Sequence, residues 1–140
     1  MNIAAAKLTK QAGVTVVLNP APSRPICDEL AALLEVVTPN EQELAAVKNL
    51  RLPLCITTLG AKGCRINHTV TIPALPVEAV DTTGAGDTFN GVLAACLAEG
   101  KEIEEACRVA VAAAGLSVTK RGVLQAIPHR EDIERMIRHG

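Results

Sequence analysis

Two carboxylates, Asp81 and Asp87, bracket a glycine-rich turn in the run Asp81-Thr-Thr-Gly84-Ala-Gly86-Asp87-Thr-Phe-Asn-Gly91, and a long apolar stretch to Ala98 follows. A turn of this kind ahead of a helix leaves backbone N–H groups facing outward, where the helix dipole also favours negative charge. Asp87 would stand at the rim of that anion site, where a proton acceptor is useful. This is the layout of a phosphoryl-transfer site, in which positioning and electrostatics do most of the work. Glycines between a strand and a helix also serve plain tight turns, and Asp is a favoured residue at a helix start. The widespread phosphate motifs do not decide the matter. No Gly-x-x-x-x-Gly-Lys-Ser/Thr occurs, and Phe89 stands where a dinucleotide fingerprint needs its third glycine.

The elements that must position this turn alternate in period. Helical patterns are expected over 3–12, 25–34, 41–50, 87–99, 103–118 and 130–138. Strands are expected over 14–18, 35–38, 54–58 and 77–80, with a strand pair in 63–72 turning at Asn67-His68. Strands alternating with helices argue an α/β fold, a mainly parallel sheet flanked by helices. The connection between Val37 and Leu54 is near the minimum for a parallel crossover. There is no internal repeat, no low-complexity tract and no dividing linker, so residues 1–140 read as one domain. Proline and glycine gather after the strands, where open α/β sheets place ligands.

Composition narrows the class. Hydrophobic residues make up 49% of the 140-residue chain, yet it holds one Phe and no Tyr or Trp. The core is therefore expected from Ala, Val, Leu and Ile, which suits buried parallel strands. A net charge of −1 and the lack of aromatic platforms argue against nucleic-acid binding. The N-terminus is charged too early for a secretory signal, and no apolar stretch is long enough for a membrane span. These features suggest a cytoplasmic protein. Cys27, Cys55, Cys64, Cys96 and Cys107 include no Cys-x-x-Cys pair and are expected as reduced thiols. His68, His129 and His139 show no metal-ligand spacing.

Asp81–Gly91 resembles the C-terminal signature of the PfkB-type sugar kinases. Leu18-Asn-Pro-Ala-Pro-Ser-Arg24, Thr38-Pro-Asn-Glu41, Thr57-Thr-Leu-Gly-Ala-Lys-Gly63 and Val118-Thr-Lys-Arg-Gly122 resemble ribokinase segments in the same order. The resemblance runs from about residue 3 to the C-terminus and implies a ribokinase-like fold, truncated, without the N-terminal half and lid. It makes Asp87 the general base for a sugar's primary hydroxyl, and the N–H groups of Gly84, Ala85 and Gly86 the anion hole for the γ-phosphoryl. Asn40 and Glu43 match positions near the nucleotide phosphates and their magnesium; a turn residue and a solvated helix acid are the plain alternatives. Thr58, Gly60 and Gly63 match a nucleotide-binding loop, or else form an ordinary turn. Asp81 and Thr83, with carbonyls of Ser117, Lys120 and Gly122, match potassium ligands, although Asp81 could simply brace the glycine turn.

The pattern also breaks. Relative to the family, the chain begins about midway through the fold and is shorter between Glu43 and Leu54. Val111 replaces an Asn that faces the nucleotide, and Ala126 replaces a Ser that contributes to the cation site. Two readings follow. One is an ATP-dependent sugar kinase, or its nucleotide-and-base half, using ATP, Mg2+ and K+ with ribose as first choice, deoxyribose next and a nucleoside third. The other is a truncated remnant or nucleotide-binding module without turnover. An unpartnered sheet edge would favour self-association or a complementary N-terminal half.

Overall fold

The computed structural model describes residues 2–47, 50 and 54–140. Packing groups the chain into two compact units, Met1–Leu59 with Arg65–Val70 and Gly60–Cys64 with Thr71–Gly140.

The first unit opens with α1 (Asn2–Gln11), closed by a turn in which Gly13 adopts φ 70°. Its N–H donates to the Lys10 carbonyl and that of Val14 to the Thr9 carbonyl. This paired arrangement is the Schellman stop, which needs a residue in the left-handed region. It also uses up Val14, so the strand expected over 14–18 shrinks to β1 (Val17–Leu18). The expected helix over 25–34 likewise contracts to α2 (Asp28–Ala31). Next come β2 (Val36–Val37), α3 (Leu44–Val47) and β3 (Leu54–Thr58). The remainder of the helix expected over 41–50 includes residues 48 and 49, which lie outside the described residues.

β1, β2 and β3 run parallel, with Val17 opposite Val36, Leu18 opposite Val37, and Val37 opposite Cys55. Val36 and Val37 are both buried, as a central parallel strand covered on both faces requires. Leu34, Val37 and Val47 form the core of this unit, with Leu18, Leu30 and Leu44 packed around them. β4 (Cys64–Ile66) and β5 (Val70–Ile72) complete a sheet of order β1-β2-β3-β4-β5. Asn67 (φ 45°) and His68 (φ 62°) make the turn between them, the doubly left-handed geometry that two-residue hairpins favour.

The second unit is dominated by α4 (Ala85–Ala98), α5 (Ile103–Ser117) and α6 (Arg130–His139). α5 packs against both α4 and α6. Phe89, Leu93 and Cys96 recur at helical spacing and are buried, so they fix the inward face of α4. Ala112 and Ala113 of α5 meet Ile133 of α6, with Val92, Val109 and Met136 around them. Acids lie in the first turns of α5 and α6, and Arg138 and His139 in the last turn of α6, as the helix dipole favours. The strand expected over 77–80 does not form. Instead the Val80 and Asp81 N–H groups both donate to the Val118 carbonyl, at 2.7 and 3.1 Å, anchoring that segment on the end of α5.

All five cysteines are free thiols; Cys64, Cys96 and Cys107 are buried and Cys27 is exposed. No helix among the described residues is long and apolar enough to cross a membrane.

Candidate active site

The glycine-rich turn starts α4 directly. Gly84 is the residue before the helix, at φ 78° and ψ 2°, a left-handed conformation that glycine adopts without steric cost. α4 therefore begins at Ala85, two residues ahead of the expected start, and Asp87 falls in its first turn. Thr88 and Phe89 turn inward, which leaves Asp87 and Gly91 exposed on the opposite side. The Thr88 N–H donates to the Gly84 carbonyl at 2.9 Å, and that of Ala85 to the Thr82 carbonyl at 3.3 Å. Among the described residues, the N–H groups of Gly84, Gly86 and Asp87 have no backbone acceptor. Of the three expected anion-hole donors, Gly84 and Gly86 are thus open and Ala85 is engaged in the turn, while Asp87 adds an N–H that the sequence reading had not counted. First-turn donors of a helix have no partner within it, so their position could have been foreseen once Ala85 was known to start the helix.

Asp81 braces this turn. Its Oδ1 accepts the Thr83 N–H at 3.0 Å and its Oδ2 the Gly122 N–H at 3.2 Å. The hydroxyl and N–H of Thr83, then the N–H of Gly122, hold the Asp81 carboxyl below its ordinary value, and Arg121 adds to the effect. These bonds draw Asp81, Thr83 and Gly122 together. Ser117 is buried, and its hydroxyl donates to the Ala114 carbonyl at 2.8 Å, so the hydroxyl points back into α5. The Val118 carbonyl accepts two N–H groups, whereas among the described residues the carbonyls of Ser117, Lys120 and Gly122 accept none. Carbonyl oxygens left without donors are of the type that suits a hard cation.

Asn40 and Glu43 meet in the other unit. Asn40 Oδ1 accepts the N–H groups of Gln42 (2.9 Å) and Glu43 (2.8 Å), while Glu43 Oε2 accepts the Asn40 N–H at 3.0 Å. This is a reciprocal capping box ahead of α3, with Asn in the cap position. Thr58 lies beside it, forming a parallel bridge with Asn40 and donating its N–H to the Pro39 carbonyl. Glu43 is only 8% exposed, so the plain alternative of a solvated helix acid does not hold. Among the described residues no three His, Cys, Asp or Glu side chains cluster. A divalent ion held here would depend on nucleotide phosphate oxygens as well as on a single carboxylate.

Gly60 and Gly63 flank a short 3-10 turn (Gly60–Lys62) and differ in kind. Gly60 (φ 57°) faces open space. A Cβ on Gly63 would lie 2.0 Å from the Ile72 carbonyl oxygen, so Gly63 is required by the close approach of two backbones. A groove of about 490 Å³ lined by Gly91, Cys96, Arg130 and Ile133 takes in none of the expected site residues.

Residues 1–130 match the pfkB family of carbohydrate kinases. The chain belongs to that family. Its similarity to ribokinases is 39% identity with that of Haemophilus influenzae, over 96% of this chain and 51% of the relative. With the Bacillus subtilis ribokinase it is 40%, over 89% and 46%. The chain thus spans about half the length of the curated relatives it matches. Among solved structures, Arabidopsis thaliana ribokinase complexed with ribose and ATP superposes with a TM-score of 0.92 at 31% identity, covering 99% of this chain and 52% of that one. Thermotoga maritima ribokinase gives a TM-score of 0.86 at 35% identity, covering 96% and 52%. The ribokinase-like fold, over about half of its usual length, is therefore that of this chain.

Proposed function

We propose that this pfkB-family chain is the nucleotide-binding and base-bearing half of an ATP-dependent sugar kinase that phosphorylates a primary hydroxyl, with ribose as substrate. The observation that carries this reading is the left-handed Gly84 turn, which leaves N–H groups of Gly84, Gly86 and Asp87 without acceptors beside an exposed carboxylate. The N–H groups would receive the transferred phosphoryl, whose charge they offset without reorganising. Asp87 would take the proton from the attacking hydroxyl, the role its exposure at the helix start allows. The similarity to a ribokinase complexed with ribose and ATP supports both substrates. A deoxyribokinase of Salmonella typhi, 33% identical over 91% of this chain, keeps deoxyribose as the second choice.

The cation set rests on the resemblance to the family and on the donors that match it. Asp81, Thr83 and the carbonyls of Ser117, Lys120 and Gly122 would hold K+, and Glu43 would lie near the Mg2+ that travels with the nucleotide. Bound there, the two ions would supply positive charge to the phosphates. Asn40, Thr58 and Gly60 would contact the nucleotide, and Gly63 would hold the loop that presents Gly60. The sugar half of the site would come from a complementary N-terminal half pairing along β1, the end strand of the sheet order, in the cytoplasm.

Calorimetry of ATP with Mg2+ and K+ tests the reading, comparing the chain with Gly86→Glu. A carboxylate placed beside the phosphates should abolish binding. ATP that binds both forms equally, or neither folded form, would sink the proposal and leave the alternative of a module descended from a kinase without its chemistry.

A further inference from the structure

We propose that Val123 is a positioning residue for the Gly84 turn, an inference that rests on reading this turn as the phosphoryl site. A Cβ built on Gly84 would lie 2.8 Å from Val123 Cγ1 and 3.6 Å from both its Cβ and its Cγ2. The valine side chain therefore lies directly on the bare face of the glycine. One residue earlier, the Gly122 N–H is tied to Asp81 Oδ2, and Asp81 Oδ1 to the Thr83 N–H. A polar tie and an apolar contact thus converge from consecutive residues of one segment onto the two ends of the Asp81–Gly84 loop.

Val123 is 41% exposed, too open to serve chiefly as core. Its effect is instead local. Glycine populates positive and negative φ about equally, so a Gly84 without cover samples conformers in which α4 starts differently. Each such conformer moves the Gly84 and Gly86 N–H groups. Val123 occupies the space that those rearrangements would cross, and so keeps one start of α4 and one placement of the donors.

Amide NMR of the chain with calorimetry of ATP tests this, using Val123→Ala, Val123→Thr and Leu124→Ala. Val123→Ala should shift the Gly84 and Gly86 amide resonances and raise the exchange of the Ala85 and Thr88 amides, which are hydrogen-bonded across the turn, about tenfold, a local opening distinct from global unfolding. ATP should bind correspondingly more weakly, while the thermal midpoint stays close to the parent's. Val123→Thr keeps the branched shape against Gly84 and should restore the parent amide pattern. Leu124 is 77% exposed, and its truncation should leave the turn unchanged. Unchanged Gly84 and Gly86 amides in Val123→Ala would overturn the proposal. So would an exchange increase spread evenly over the chain, because that reports general destabilisation. If the parent chain itself fails to bind ATP, the phosphoryl reading falls, and the amide comparison still decides the part of Val123.

Discussion

The turn at Asn40–Glu43 and the turn at Asp81–Asp87 each lead into a helix, and each carries acids and hydrogen-bonding residues of similar type. They use them in opposite ways. Asn40 and Glu43 close on the backbone of their own turn: three N–H groups find side-chain acceptors there, and Glu43 is nearly buried. In the second turn Asp81 closes on the backbone in the same manner, but Asp87 stays exposed and N–H groups remain without acceptors. Backbone polar groups must be paired with something, whether protein, water or ligand. The N–H groups of the second turn are left to water or to a ligand, whereas those of the first are already satisfied within the fold.

The strongest way to break this contrast is Asp87→Asn in the assembled kinase. Turnover should fall about 10²- to 10⁴-fold while ATP affinity holds, because a general base contributes on that scale. Steady-state kinetics beside calorimetry read both, and unchanged turnover would remove Asp87 from the chemistry. Gly63→Ala comes next. It forces a Cβ against the Ile72 carbonyl at a positive φ, and should destabilise by about 3 kcal/mol in denaturant titration.

Asn40→Ala sharpens the comparison from the closed side. Loss of the cap should cost about 1 kcal/mol of stability. An ATP affinity that dropped far beyond what this instability explains would show that Asn40 has a ligand role as well as a structural one. The smallest expected effect concerns pH. The Asp81 carboxyl lies below its ordinary 3.8 in the folded chain. Its contribution is therefore complete above that value and fades only as the pH falls through the lower folded value. The stability difference between the parent and Asp81→Asn should be constant from neutrality down to about pH 4 and narrow only below it. A difference that narrowed at pH 5 to 6 would argue that the Asp81 bonds to Thr83 and Gly122 do not persist in solution.

The long helices were legible in the sequence because their periodic apolar faces coincide with what is buried: Phe89, Leu93 and Cys96 on α4, Ala112 and Ala113 on α5, Ile133 on α6. The segments that failed were short and ruled by their neighbours. Val14 is strand-forming by type, yet its N–H is claimed by the end of α1. Val77–Val80 alternates with nothing and is held by a single carbonyl of Val118. Of the site, the type and place of Asp87 and the glycines could be read from spacing. That Asn40 and Glu43 satisfy each other could have been suspected from a cap residue three positions before an acid. The Val123 contact could not, because it joins residues far apart in sequence and leaves no local pattern.

Phe89 is the chain's only phenylalanine, with no Tyr or Trp beside it in the sequence, and it is buried two positions beyond Asp87, facing away from it. A fluorinated phenylalanine incorporated during expression would therefore yield one fluorine signal for the entire protein. That signal would originate from the underside of the α4 start, where any tightening of the turn above must be felt through packing. The fold has thus placed a single spectroscopic reporter beneath the Gly84 turn, with no other phenylalanine to obscure it.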